Sequence, residues 1–303
     1  MPSGSDLVWD PGLGLAKVPR VLLRLMGRAG SDGRGAPPIV GTMHGVRAFS
    51  LPAAELARGV RERVALEITK RRRVFEWRRF GPGLAKLVAV SRFGAEEVAR
   101  AFDLPDAKVS AIHHGVDHAV FRVAGEAHER ERPYFLHVSS FQRKKNLERL
   151  LAAYAGLAEA GRPDLVLVVP GVPGRPPEHP GVHWVVHGLD PDELARWYRG
   201  ALAFVFPSLH ETFGMPILEA MACGCPVLTS NVTACPEVAS DAALLVDPRS
   251  LGAISEALAR LAGDSALRDD LCARGLERAA GFSWARTAEE HLALFRDVIG
   301  ARP

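Results

Sequence analysis

Cysteine is scarce, and where it occurs it is badly spaced for cross-linking. Of the four, Cys223 and Cys225 stand too close together for an easy bridge, while Cys235 and Cys272 lie far apart. No His or Cys partners stand at zinc-ligand spacing, so neither a disulfide framework nor a structural zinc is expected, and the thiols read as reduced and buried. Long apolar runs are missing too: no window reaches the roughly 18 uninterrupted apolar residues of a membrane span. The opening "MPSGSDLVWDPGLG" lacks the basic segment and apolar run of a secretory signal. Internal repeats and long low-complexity stretches are absent. What remains is a cytoplasmic protein, or one that sits peripherally at the inner face of a membrane.

At 303 residues the chain is long for one core and comfortable for two. Hydrophobic residues make up 48% and charged residues 24%, the balance of an ordinary globular protein. The net charge of +3 hides an asymmetry: residues 1–123 carry 20 Lys+Arg against 12 Asp+Glu (+8), and residues 124–303 carry 18 against 23 (−5). A basic half beside an acidic half suits phosphate or lipid. No recognition motif for nucleic acid accompanies it, and no nucleic-acid partner is expected.

Strands and helices alternate in two segments. In the first, "PPIVGTMHG" reads as a buried strand ending at His44 and "LAKLVAVS" as another ending at Ser91, with a short helix over 95–101. The charged stretch 123–133 reads as a linker. In the second, "YFLHVSS", "LVLVVPG", "VHWVVHG", "ALAFVFPS", "CPVLTSN" and "AALLVDP" are strands. Helices are expected over 146–160, 191–199 with Asp190 as N-cap, 216–222, 251–262, 265–279 and 284–299. Continuous Val/Leu/Ile/Phe strands between helices predict a doubly wound α/β sheet, whose ligand lies outside the carboxyl ends of the strands. Those ends are Ser139–Ser140, Gly171, Gly188 and Ser208–Glu211. The domain boundaries expected are 1–123, 124–283, and a final helix over 284–303 packing back toward the first domain.

The most informative stretch is "FPSLHETFGMPILEAMACGCPVLTSN", residues 206–231. A strand gives way to a loop with Glu211 and Gly214, and a helix opens near Pro216, where a missing N–H costs nothing. The free amides and dipole of such a helix start suit an anion. Glu219 is expected in the first turn, so that one carboxylate accepts hydrogen bonds from sugar hydroxyls and the other from a ribose diol.

Here the chain resembles the family-4 retaining glycosyltransferases of the GT-B fold, two Rossmann-like domains facing a cleft. Their Glu-x7-Glu signature is matched at Pro207, Ser208, Glu211, Phe213, Gly214, Pro216, Glu219, Ala220, Met221, Ala222, Gly224, Pro226 and Val227, with Thr212 where glycine is commoner. The segment "VSSFQRKKNLERLL" is similar to the one in which the family grips the donor diphosphate. That implies Lys145 as the grip, supported by Lys144 and Ser140; Ser139-Ser140 stand where relatives carry Gly-Arg, and Arg143 is the candidate substitute. A lysine suits this task as a long point charge. "VHWVVHGLDPDEL" is similar to the segment that holds the base, near His187, Gly188 and Leu189. "GTMHG" resembles the strand that presents a histidine to the cleft.

The resemblance thus implies Glu211 and His44 as catalytic candidates. Lys145, Lys144, Ser140, Gly188, Phe213, Gly214, Met215 and Glu219 would hold the donor, a GDP- or UDP-linked sugar that is substrate rather than cofactor. The reaction implied is retaining transfer of a hexose, mannose or glucose, to a glycan, lipid-linked or small-molecule acceptor. No metal is expected, no Asp-x-Asp pair being recognised as a cation ligand; lysines and a helix dipole would stabilise the diphosphate. Glu237 and Asp241 are expected to be structural, and His114–Asp117 to form a turn near the hinge.

Relatives carry a first strand and a glycine-rich turn before the position of His44, and no such "GG" turn is found here. The N-terminal domain is therefore expected to be incomplete and the chain poorly active, with a non-catalytic nucleotide-sugar-binding remnant as the alternative. The basic, aromatic run "TKRRRVFEWRRF" reads either as a membrane-surface contact through Lys70–Arg79 or as a core-facing stripe of Phe75, Trp77 and Phe80 with solvated arginines.

Overall fold

A computed structural model describes residues 7–11, 37–45, 52–57, 59–174, 176 and 178–301. The expected lack of a glycine-rich turn falls mostly on residues 12–36, outside the described ones. The chain divides into two compact units, Met1–His114 with Ala285–Pro303, and Gly115–Trp284.

The first unit is built on a parallel sheet in the order β1 (Val8–Asp10), β2 (Ile39–Met43), β3 (Lys86–Ala89), β4 (Val109–Ala111). Between β2 and β3 lie the short helix α1 (Ala53–Leu56) and the 21-residue helix α2 (Val60–Phe80); α3 (Arg92–Phe102) connects β3 to β4. Strands buried on both faces need continuous apolar runs, and "IVGTM" and "KLVA" supply them. One face packs Ile39, Leu87, Val98 and Phe102 with Trp77, whose ring stacks on Phe102 at 5.0 Å. The other face, Val40, Val88 and Ile112, packs against Leu294, Phe295 and Val298 of the last helix.

The second unit is a six-stranded parallel sheet. In chain order its elements are β5 (Tyr134–Val138), α4 (Leu147–Ala155), β6 (Asp164–Val168), β7 (Val182–Val185), α5 (Pro191–Gly200), β8 (Ala203–Phe206), α6 (Met215–Ala222), β9 (Val227–Ser230), α7 (Cys235–Ala239) and β10 (Leu244–Val246). Helices α8 (Leu251–Gly263) and α9 (Ser265–Ala280) follow, and α10 (Trp284–Gly300) closes the chain. The strand order β10-β9-β8-β5-β6-β7 reverses direction between β5 and β8, which pair Phe135 with Ala203 and Leu136 with Phe204. That reversal is the topological switch point, the place where a doubly wound sheet opens a crevice beyond its strand ends.

Three expectations need correcting. The stretch 123–133 is not a free linker, and the unit boundary falls at His114–Gly115 rather than at 123. Residues 115–133 belong to the second unit and are bound along α5. His128 donates its amide to Arg196 O at 2.9 Å and stacks on Trp197, while the Arg199 guanidinium donates to Glu126 O at 2.7 Å. The main-chain carbonyls and the histidine ring do the holding, so a scan for apolar side chains passes over it. The helix expected over 146–160 ends at Ala155, where the Gly156 amide caps it.

The chain passes between units twice, at His114–Gly115 and Trp284–Ala285. The flanking residues run side by side, with a bridge between Val116 and Ser283. A Cβ built on Gly115 would stand 2.1 Å from the Trp284 nitrogen, so only glycine allows the approach.

Candidate active site

The switch point assembles its chemistry from the loops after β5 and β8. After β5 the chain makes one 3-10 turn over Arg143–Lys145 and turns at Asn146, which takes the left-handed conformation (φ 62°) and opens α4. Asn146 tolerates this because its buried amide is used: Nδ2 donates to Pro207 O at 2.9 Å and Pro248 O at 2.7 Å. The Leu209 amide donates to Lys144 O at 2.7 Å. These bonds tie the lysine turn to the end of β8 and to the segment after β10.

That fixes Lys145 against Glu211. Lys145 Nζ donates to Glu211 Oε1 at 2.7 Å, Lys144 Nζ stands 3.7 Å from Oε2, and the Lys145 ammonium also lies 4.7 Å over the Phe206 ring. Both partners are buried. Burial alone would push the Glu211 carboxyl up, but Lys145 and Lys144 outweigh it and hold the group below its usual range. The Glu211 amide is held in turn by Thr233 Oγ1 at 3.1 Å.

Gly214 leads into α6 at φ 103°, a conformation that favours glycine, with Pro216 in the first turn. Because the helix starts at Met215, Glu219 lies one turn further in than expected: α6 has no acidic residue in its first turn. Glu219 is treated oppositely to Glu211. Burial raises its carboxyl to about 7, offset only by a hydrogen bond from Tyr198 Oη to Oε2 at 3.1 Å.

The remaining candidates are placed as follows. Ser140 is exposed after β5, its Oγ accepting from Gln142 Nε2 at 2.9 Å, and Arg143 is exposed beside it. Gly188 is exposed after β7, with nothing within 4 Å of a Cβ built there. Phe213 packs its ring edge-on to Phe282 at 6.1 Å, and Met215 is half-buried at the first position of α6. His44 belongs to the first unit, at the end of β2. Its Nε2 donates to Pro11 O at 2.8 Å and its ring stacks on His114 at 5.3 Å. Cys223, Cys225 and Cys235 are buried, and burial pushes their thiols up, to about 11 for Cys223 and about 12 for Cys235.

An Asp-x-Asp pair does occur, contrary to the sequence expectation: Asp190-Pro191-Asp192. Asp190 serves as the N-cap of α5, its Oδ1 accepting from the Glu193 amide at 2.8 Å. Among the described residues no three His, Cys, Asp or Glu side chains gather as cation ligands. Sequence reasoning places Asn146 at the opening of the helix but not its two amide bonds, and it misses Tyr198 and the buried His137–Ser139 pair. His137 Nδ1 donates to Val205 O at 2.8 Å, so its Nε2 accepts from Ser139 Oγ at 2.8 Å. Neither Tyr198 nor that pair carries a local sequence signal, since each is defined by which strands and helices face one another.

A doubly wound sheet whose switch point buries a lysine–glutamate pair beside a glycine-led helix start is the architecture of a GT-B Rossmann-like domain. The chain belongs to the glycosyl transferases group 1 family, which matches residues 123–278, and the Glycosyltransferase Family 4 domain matches residues 20–120. It is 35% identical to O-antigen chain mannosyltransferase B of Escherichia coli over 50% of this chain and 42% of that protein. It is 31% identical to D-inositol 3-phosphate glycosyltransferase of Nocardioides sp. over 69% of this chain and 53% of that one. The chain thus spans about half the length of these curated relatives. Among solved structures, sucrose-phosphate synthase of Thermosynechococcus elongatus aligns at TM-score 0.71 and 24% identity, covering 89% of this chain and 70% of that one. Anabaena HepE in complex with UDP-glucose aligns at TM-score 0.71 and 16% identity, covering 96% and 79%.

Proposed function

We propose that this glycosyltransferase moves a hexose, with retention of configuration and without a metal, from a nucleotide sugar held in the second unit to a glycan, lipid-linked or small-molecule acceptor. The observation that carries the reading is the buried Lys145–Glu211 pair at the switch point. One member is a cation suited to a diphosphate; the other is a carboxylate kept ionised where a sugar would stand. In the transfer, the acceptor oxygen bonds to the anomeric carbon as the bond from that carbon to the β-phosphate oxygen breaks. The departing diphosphate keeps the electron pair and takes the acceptor proton on the same face. Glu211 stabilises the oxocarbenium-like sugar, and Lys145 with Lys144 stabilises the charge developing on the leaving group. His44 is the further candidate contact for sugar or phosphate.

The E. coli relative, a mannosyltransferase by name, supports mannose as the sugar; the donor is GDP-mannose, with a UDP-linked hexose as the second choice. The test is transfer to an acceptor extract in EDTA, with the product anomer read by NMR. An α-glycoside formed at an unchanged rate supports the reading. A β-glycoside, or activity that needs added Mg²⁺ or Mn²⁺, refutes retention or metal independence. Donor binding with no transfer under any condition leaves a nucleotide-sugar-binding unit.

Membrane contact through α2 takes a different form from the one expected over Lys70–Arg79. Trp77 is turned into the core, and Lys70, Arg72 and Arg73 are paired with Glu67 and Glu76 on the same helix. The exposed apolar residues are Val60, Val64, Ile68 and Phe75, which share an arc of roughly 80° on the helix, with the exposed Arg71 and Arg78 among them. This stripe supports docking on an anionic surface. Sedimentation with phosphatidylglycerol vesicles should be lost in Ile68→Ser/Phe75→Ser; equal sedimentation of both proteins refutes it.

A further inference from the structure

We propose that Tyr198 is a positioning residue for the donor's ribose: its hydroxyl, donated to Glu219 Oε2 at 3.1 Å, fixes the carboxylate so that its remaining lone pairs are left for the ribose diol. This rests on the reading of Glu219 as the ribose acceptor.

The geometry begins at the cap of α5. Asp190 sets the phase of the helix, and Ala195, Trp197 and Tyr198 fall on its buried face. The Tyr198 ring is fully buried and wedged edge-on against Phe204 at 5.3 Å and Phe121 at 6.2 Å. A ring held on two sides cannot swing, so its hydroxyl is delivered to one point, and Glu219 is there. Burial and the neighbouring carboxylate keep the phenol protonated across the working pH range, so it is always the donor.

Glu219 has been left short of donors. Glu211 has two lysines, whereas only burial and Tyr198 bear on the Glu219 proton. The one charge brought to that end of α6 by its neighbours among the described residues is Arg199 of α5, whose guanidinium bonds to the Cys223 thiol and is not among the causes that shift Glu219. Helix α9 faces it with Leu271 and Gly275, the latter against Met221; α7 presents Cys235 and Val238; and Cys223, on α6's C-terminal side, is a neutral thiol. A half-buried carboxylate with a single side-chain hydrogen bond is costly, and its exposed part is where two vicinal hydroxyls could complete it. Tyr198 thus makes Glu219 bondable without neutralising its appetite for the ligand, as a salt bridge would.

The experiment titrates UDP and GDP, and their 2′-deoxy forms, into the parent and into Tyr198→Phe between pH 5.5 and 8.5. The ribonucleotide should bind more weakly as pH falls through the Glu219 value, since the protonated acid accepts poorly. Tyr198→Phe should move that fall to higher pH and weaken binding at pH 7.5 about three- to tenfold, less than the full worth of a hydrogen bond to a charged group because the bond is lost from the free protein as well. The deoxy forms should show a much flatter profile in both proteins.

If the parent does not distinguish ribose from deoxyribose, the reading of Glu219 itself fails. If it does, and Tyr198→Phe keeps the parent's pH profile, Tyr198 is merely structural and this proposal fails. Should Tyr198→Phe not fold, replacing all three tyrosines by 3-fluorotyrosine gives the opposite sign. Tyr134 and Tyr154 donate to main-chain carbonyls, so only Tyr198 bears on Glu219. The more acidic phenol donates more strongly, and the fall should move to lower pH; no shift overturns the proposal.

Discussion

Lys145 and Glu211 lie 66 residues apart in the chain and 2.7 Å apart in the structure, brought together because β5 and β8 are neighbours at the switch point of the sheet. Neither loop has reason to be where it is without the other. Lys145→Ala should leave the buried Glu211 carboxylate with only the longer Lys144 contact and destabilise the chain by about 3 kcal/mol, the low end for breaking a buried pair. Lys145→Met with Glu211→Gln should recover much of that stability while donor binding stays lost. Urea unfolding of the three proteins checks both; a single mutant as stable as the parent contradicts the pairing.

Glu219 gives a pH dependence of the opposite kind to an ion pair. Its carboxyl is raised from 4.5 to about 7 in the folded chain, so between those values the folded state keeps a proton that the unfolded state has lost. The Glu219 contribution to ligand-free stability should therefore fall as pH rises through that window, by on the order of 3 kcal/mol, and level off above it, against an opposite contribution from the buried histidines below about pH 6.5. Glu219→Gln should remove the slope, making the free protein more stable than the parent at pH 8 and at least tenfold weaker for nucleotide. Thermal melts of the parent and Glu219→Gln at pH 5 and 8, with and without UDP or GDP, decide it: a difference between the two free proteins that does not change with pH would be wrong for this site.

His137 sets an acid limit. Burial lowers its pKa to about 4 from the usual 6.5, despite a bond to Val205 O, so it is neutral when folded and charges more readily when unfolded. Stability is intact above about pH 6.5 and is lost as pH falls toward 4. His114 in the first unit is also lowered to about 4, by burial and by His44, His291 and His113, and adds to the same loss. His137→Gln, which keeps a donor and an acceptor but does not titrate, should shrink the acid loss without abolishing it. Urea unfolding at pH 4.5 and 7 reads this directly.

Much of this was legible in the residues, for reasons that differ element by element. Strands such as "LVLVV" and "AFVF" announce themselves because a doubly wound sheet buries both faces, and Asp190 marks its helix because its side chain is a cap. Glu211 and Glu219 were readable from their spacing in a long motif. Their opposite electrostatic treatment was not, since it depends on which helix faces which: two lysines arrive from β5's loop, and a tyrosine from α5. The docking of 115–133 was equally hidden, because backbone carbonyls hold it. Trp77 and Phe75, two residues apart, could not be sorted into core and surface without the path of α2.

Gly115 offers a test of the crossing between units. Gly115→Ala would place a methyl 2.1 Å from the Trp284 nitrogen, against backbone rather than a yielding side chain. The variant should melt well below the parent, whereas Gly188→Ala, with open space around it, should match it. Equal melting of the Gly115 variant and the parent would contradict the close approach.

The most direct test of the central claim is calorimetric titration of the intact chain with GDP-mannose, GDP-glucose, UDP-glucose and ADP-glucose, in EDTA, beside Lys145→Ala and Glu219→Ala checked for folding. At least one donor should bind the parent with the metal chelated, and both variants should bind it at least tenfold more weakly. No binding across the panel, or equal binding by a folded Glu219→Ala, would show that the donor is not held at Lys145, Glu211 and Glu219.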